Sequence, residues 1–588
     1  MRSPSLFGAL LLCSSVIATP SYPLVVDTKK NVKYQGLNRN GIEVFLNIPY
    51  GQDTGGANRF KPPRAAVPKP RSTIVAQSYG PACPQALGEG FPPLTLSNVT
   101  KISEDCLNLN VARPSNLSAG AQLPVLVYIH GGGFWSGQNS ELSTAPDGMI
   151  LESVANGLPV IHVGMNYRLG LFGFAQSDAL ESEGSENAGL RDQRLAIEWV
   201  RDNIAYFGGD PKKITIFGQS SGGLAVGLQI MAYGGSKPVP FQQGICESQA
   251  LEPGITGNFT IDAFQLVVDY VGCNKSALHS AETIACLRNL DLDTLEGAAE
   301  ATYQSDVAHN IGDIWLPVVD GDFLPAAPSQ LIAEGKFANV TTMMGWCEND
   351  VTFFTDTSIA TPQDTRDFVQ SYLPDLSSAH IDTLLSLYPS TDFAANEAAE
   401  LSSEFYRSAR IFRDVLMVCE PVYYGAALAA AGNAVYLYDW NQTMLDPLVA
   451  AMYAQSGLGV IHTSEFAYIF GNLSHYDFSP AYPFDPTPED YDLATRGSRS
   501  WSTFASLGVP GDEQGRDTFT GFAPSFAVGT EAGGGGGDET YSVFVAGGPD
   551  EGLSDVEGES SKAVVAAQKL KERCAFINSA EVIKELKF

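Results

Sequence analysis

The chain has 588 residues, 44% apolar and only 17% charged, which excludes wholesale disorder and provides for a large core. Acids outnumber bases 66 to 35, a formal charge of −31 that excludes nucleic acid and anionic membrane surfaces as partners. Seven His and 9 Cys do not suit a multi-metal cluster, and neither a metal nor a cofactor is expected.

Residues 1–18 (MRSPSLFGALLLCSSVIA) read as a secretory signal peptide. Arg2 supplies the positive start, Leu6 to Leu12 the apolar run, and Val16 and Ala18 the small cleavage-site residues, leaving Thr19 as the mature start. No later stretch reaches about 18 uninterrupted apolar residues, and the terminal EVIKELKF is no lipid-anchor signal. The expectation is a secreted, extracellular protein without a stable membrane anchor. Secretion gives meaning to seven Asn-X-Ser/Thr sequons, at Asn98, Asn116, Asn258, Asn274, Asn339, Asn441 and Asn472.

Apolar runs typical of buried strands follow at residues 123–132, 158–169, 214–218, 341–346, 434–440 and 541–548. Between them lie helical patterns such as residues 187–207. Buried strands alternating with helices predict an α/β fold with a mostly parallel sheet. The glycine patch 533–537 reads as a surface loop. No repeat or long linker divides the chain, so residues 19–588 are expected to form one catalytic domain with helical insertions.

Two of these strands run into glycine-rich turns. His130-Gly131-Gly132-Gly133-Phe134 follows the first, and its glycines let backbone N–H groups approach a substrate oxygen. Gly218-Gln219-Ser220-Ser221-Gly222 follows ITIF and precedes the helical GGLAVGLQIMAYG. A lone G-x-S-x-G recurs by chance; the strand, sharp turn and helix around this one make it specific. Such a turn lifts the Ser220 hydroxyl to a helix N-terminus, whose partial positive charge favours a developing anion. The donors expected for that anion are the N–H groups of Gly132, Gly133 and Ser221.

With Ser103-Glu104-Asp105-Cys106-Leu107-Asn108-Leu109-Asn110, NYRLGLFGF (166–174), WLPVVDGDFLP (315–325) and GVIHTSEFAYIFG (459–471), these motifs resemble the type-B carboxylesterase, lipase and cholinesterase family of α/β-hydrolases. The likeness runs from about residue 23 to the C-terminus and is closest to secreted fungal carboxylesterases. It implies an α/β-hydrolase fold with insertions over an active-site gorge. It also implies a nucleophile at Ser220, a base at His462 and an acid, by register, at Asp350. Glu348 is the competing acid two residues earlier, and Asp350-Val351 stands where the family has Glu-Gly. A buried Ser248–Glu465 hydrogen bond is implied behind this triad. Implied disulfides are Cys83–Cys106 around a gorge loop, Cys273–Cys286 and Cys419–Cys574. Cys13 leaves with the signal peptide. Cys246 and Cys347 are expected to be free and buried, a bridge between them being the alternative.

The resemblance implies a small-molecule or lipid ester as substrate. The loop 83–106 holds no Trp, and neutral Gln219 stands where cholinesterases have Glu, so choline esters are not expected. The short loop favours an esterase over a lipase. Trp135 either shapes the pocket or packs. A non-catalytic adhesion role, known in the family, is opposed by the intact triad. Oligomeric state is not legible.

Overall fold

The computed structural model describes residues 22–88, 90–118, 120–250, 253–306, 314–511, 514–527 and 540–588. The signal peptide with Cys13, and the glycine patch 533–537, lie outside the described residues.

In chain order the strands are β1 (Leu24–Asp27), β2 (Val32–Gln35), β3 (Leu37–Arg39), β4 (Ile42–Pro49), β5 (Thr73–Val75), β6 (Asn108–Pro114) and β7 (Leu123–Ile129). They continue as β8 (Ile161–Met165), β9 (Gly209–Gln219), β10 (Gln243–Glu247), β11 (Thr341–Cys347), β12 (Val435–Trp440), β13 (Ser542–Ala546) and β14 (Gly552–Asp555). Strands β1, β2 and β5 form a small sheet, and the rest an eleven-stranded sheet ordered β14-β13-β12-β11-β10-β9-β7-β8-β6-β4-β3. Its centre, from β8 to β13, is parallel. The flanking β3, β4, β6 and β14 are antiparallel.

Each strand expected from an apolar run is present in the parallel centre. Those strands read as near-continuous apolar segments because both of their faces are covered. Along β7, Val125, Val127 and Ile129 join one apolar cluster while Leu126 and Tyr128 join another, which marks the two faces. Cys246 belongs to the first cluster and Cys347 to the second, so the sheet separates the two free, buried thiols. A bridge between them is ruled out by that separation. The disulfides present are Cys83–Cys106, Cys273–Cys286 and Cys419–Cys574, the pairs implied by the resemblance.

The helix Ser221–Met231 follows β9 and is buried along its whole length. Its sequence, SGGLAVGLQIM, carries no charge, which permits burial on every side. The carboxyl ends of β7, β9, β11 and β12 open toward one region, where the loops described next converge.

Candidate active site

Ser220 sits between β9 and its helix with φ 61°, a left-handed region unusual for serine. The turn closes tightly because Gly222 packs on the backbone of Ile129 and His130 where no Cβ fits. The Ser220 N–H donates to the Glu247 carbonyl at 2.9 Å, which ties the turn to β10. Gly131, in the preceding glycine turn, lies against the Gln219 carbonyl with no room for a side chain. The two turns therefore meet at Ser220.

His130 holds the glycine turn from beneath. Its ring stacks on Tyr167 at 4.5 Å, its carbonyl accepts from the Tyr167 hydroxyl at 2.8 Å, and burial lowers its pKa to about 4. The Phe134 N–H donates to Ser221 Oγ at 3.1 Å, so the residue after Ser220 also props the glycine turn. Sequence reasoning assigned Ser221 only a backbone role.

His462 Nδ1 lies 2.5 Å from Asp350 Oδ1, and its backbone N–H donates to the Asp350 carbonyl at 2.9 Å. The other Asp350 oxygen accepts from the Cys347 N–H at 2.9 Å. Glu348 points elsewhere: its carboxyl pairs with Arg410 at 2.6 Å and Arg413 at 2.9 Å. The acid that touches the histidine is thus Asp350. Positive φ recurs at Phe134, Ser220, Ser248 and Thr463. Backbone strain of this kind collects at functional sites, and for the β-branched Thr463, directly after His462, it is a true outlier.

Ser220 and His462 line one cavity of about 330 Å³ with Gly131, Gly132 and Gly133. Its apolar wall includes Phe354, Phe412, Leu416 and Met417, the last two from a single π-helical turn, Asp414–Val418. Trp135 lines it too, stacked on Tyr303 with ring centroids 3.8 Å apart, so it both packs and shapes the pocket. Among the described residues Ser220 Oγ makes no hydrogen bond to His462. The Gln219 amide instead lies 3.1 Å from His462 Nε2. Sequence reasoning used Gln219 only as a missing charge and gave no sign of this contact.

The expected Ser248–Glu465 hydrogen bond is absent. Both residues are buried, but Ser248 Oγ has no partner, and Glu465 accepts the Cys347 thiol at 3.0 Å. The reason is geometric: Ser248 leaves β10 at φ 42°, with its N–H on the Gly345 carbonyl, while Cys347 ends β11 with its thiol on the Glu465 carboxyl.

The gorge loop is pinned along both arms. Gln85 exchanges two hydrogen bonds with the Gly137 backbone, at 2.8 and 2.9 Å, and Glu141 accepts from the Leu96 N–H at 2.7 Å. At the tip, Phe91 packs against Phe353 and Tyr453.

The chain is similar in sequence and in fold to known proteins. Residues 25–527 match the family described as the carboxylesterase family. The chain is 55% identical to a secreted lipase of Arthroderma benhamiae, covering 98% of each chain. It is 36% identical to an inactive carboxylesterase-like protein of Byssochlamys spectabilis, over 84% of this chain and 85% of that one. In fold it is similar to the crystal structure of Aspergillus niger EstA, with a TM-score of 0.73, 22% identity, and coverage of 97% of this chain and 99% of that one.

Proposed function

The chain belongs to the carboxylesterase family of ester hydrolases, and from that premise we propose that it cleaves carboxylic esters through an acyl-enzyme on Ser220. The observation that carries this reading is the Asp350–His462 contact at 2.5 Å, with His462 and Ser220 facing one cavity. A neutral serine is a poor nucleophile, so His462 removes its proton during attack. Asp350 fixes the proton on Nδ1 and stabilises the imidazolium. The serine–histidine hydrogen bond that this transfer needs tightens in the substrate complex. Oxyanion charge falls on the N–H groups of Gly132, Gly133 and Ser221, each worth about 10²–10³ in rate. His462 then protonates the departing alcohol, and water, deprotonated by His462, hydrolyses the ester on Ser220.

The pinned gorge loop favours soluble esters, whose hydrolysis needs no opening of a lid. On a p-nitrophenyl ester series from acetate to palmitate, activity is expected to peak at the shorter acyl chains and to rise smoothly with concentration. A second reading, lipase, is favoured by exposed Leu87, Phe91, Phe354 and Tyr453 around the loop tip, and by the name of the Arthroderma relative. A maximum at palmitate, or a jump in rate when triolein forms an emulsion, would establish it instead. The inactive name of the Byssochlamys relative supports a non-catalytic reading only if Ser220 proves inert.

The reading extends to a secreted glycoprotein of one catalytic domain after removal of residues 1–18. Asn98, Asn116, Asn258, Asn274 and Asn339 are exposed and are the expected glycan sites. Asn441 and Asn472 are half-buried, and the Asn472 amide already donates to the Ala145 carbonyl at 3.0 Å. Glycopeptide mapping of secreted protein should find sugar on sites from the first group and none on Asn472. Sugar on Asn472 would contradict this assignment.

A further inference from the structure

The loop that carries His462 is fastened to the end of β11 on both sides of the histidine. Before it, Val460 meets Asn349: the Asn349 N–H donates to the Val460 carbonyl, and Asn349 Oδ1 accepts from the Val460 N–H, both at 3.0 Å. After it, Glu465 meets Cys347: Glu465 Oε2 accepts from the Cys347 thiol at 3.0 Å. Between these two ties the backbone passes through the strained Thr463, at φ 68°. Cys347 itself is fixed by the sheet, as the last residue of β11, opposite Trp440 of β12.

Cys347 also holds the acid. Its N–H donates to Asp350 Oδ2 at 2.9 Å, which leaves Oδ1 for His462 Nδ1. One residue therefore bonds to both halves of the Asp350–His462 contact. It reaches the acid through its backbone and the histidine loop through its side chain. Cys347, Asp350 and Glu465 are all fully buried. Glu465 Oε1 has no hydrogen-bond partner, so among the described residues the Cys347 thiol is the one side chain that donates to this carboxyl. Neither Cys347 nor Glu465 is among the residues that line the Ser220 cavity.

We propose that Cys347 is a positioning residue for the hydrolysis: its thiol, through Glu465, holds the histidine loop against the strand end whose backbone holds Asp350. The proposal rests on the triad reading above. A buried carboxyl stripped of its donor loses the bond that offsets its lost hydration. Without the thiol, Glu465 shifts toward another partner and takes with it the backbone three residues from His462. The ring then moves relative to Asp350 and Ser220, and a misplacement of about 1 Å at a reacting group can cost about 10²-fold in rate. Substrate contacts in the cavity stay as they are, so the loss falls on the chemical step.

The test compares Cys347→Ser with Cys347→Ala. Both remove the sulfur, and only Ser keeps a donor for Glu465, so the difference between them isolates the hydrogen bond from the lost volume. On a short-chain ester, kcat of the Ser variant should stay within about threefold of wild type, and kcat of the Ala variant should fall by about tenfold or more, with KM unchanged in both. Equal kcat in the two variants would overturn the proposal, and so would a loss that appears in KM alone. If the Ala variant does not fold, Cys347→Val, which fills the space without a donor, takes its place. The infrared S–H stretch of the secreted wild type is a second, independent readout. Beside the band of Cys246, a band lowered by donation to a carboxyl is expected, and it should vanish in Cys347→Ser. A wild type without a lowered band refutes the proposal. That spectrum does not depend on catalysis, so its failure is distinguishable from failure of the triad reading, which Ser220→Ala addresses.

Discussion

Replacing Ser220 by Ala is expected to lower kcat on a short-chain ester by about 10⁶-fold while leaving the fold intact. Removal of the nucleophile removes the acyl-enzyme route altogether, and what remains is the weak effect of binding water beside the oxyanion donors. The fold should survive because Ser220 Oγ makes no hydrogen bond within the described residues. Its backbone strain, at φ 61°, is shared by serine and alanine alike. A steady-state assay together with a thermal melt separates the two effects. A drop of less than about tenfold with an unchanged melt would mean that another group does the chemistry.

The second large effect concerns the acid. Asp350→Asn should lower kcat by about 10⁴-fold, because an amide at that position no longer fixes the proton on His462 Nδ1. The 2.5 Å contact makes this the only carboxyl in hydrogen-bond reach of the ring among the described residues. Glu348→Gln is the informative control. It should leave kcat near the wild-type value and cost about 1–3 kcal/mol of stability, because the buried Arg413 loses a charged partner. The reverse pattern, with Glu348→Gln inactive and Asp350→Asn active, would move the acid to Glu348.

The parts of the site built from short segments were legible in the sequence. ITIF followed by Gly-Gln-Ser-Ser-Gly specifies a strand and a turn that only small residues can close, and the structure forms both around Ser220. The choice between Glu348 and Asp350 was not local. It depends on which carboxyl the loop carrying His462 meets, 112 residues further on. The Gln219–His462 contact spans 243 positions and the Cys347–Glu465 contact 118, and no spacing rule foretells either. Cys347 displaced Ser248 as the partner of Glu465 because of where β10 bends, a backbone detail with no signature in GICESQA. The antiparallel strands β3, β4 and β6 went unseen for a different reason. These strands, with β3 at the sheet edge and β4 and β6 next to it, mix polar and apolar residues, as in Leu-Asn-Arg of β3, and do not stand out as apolar runs. Strand β10 is short and carries Gln, Gly and Glu, which hid both it and the buried Glu247.

The central claim, that Ser220 is the nucleophile activated by His462, is tested most directly by a fluorophosphonate probe read by mass spectrometry. The account predicts one adduct per chain, on the peptide containing Ser220, with labelling lost in Ser220→Ala and strongly slowed in His462→Ala. A natively folded protein that takes no label, or takes it on another residue, would contradict the account.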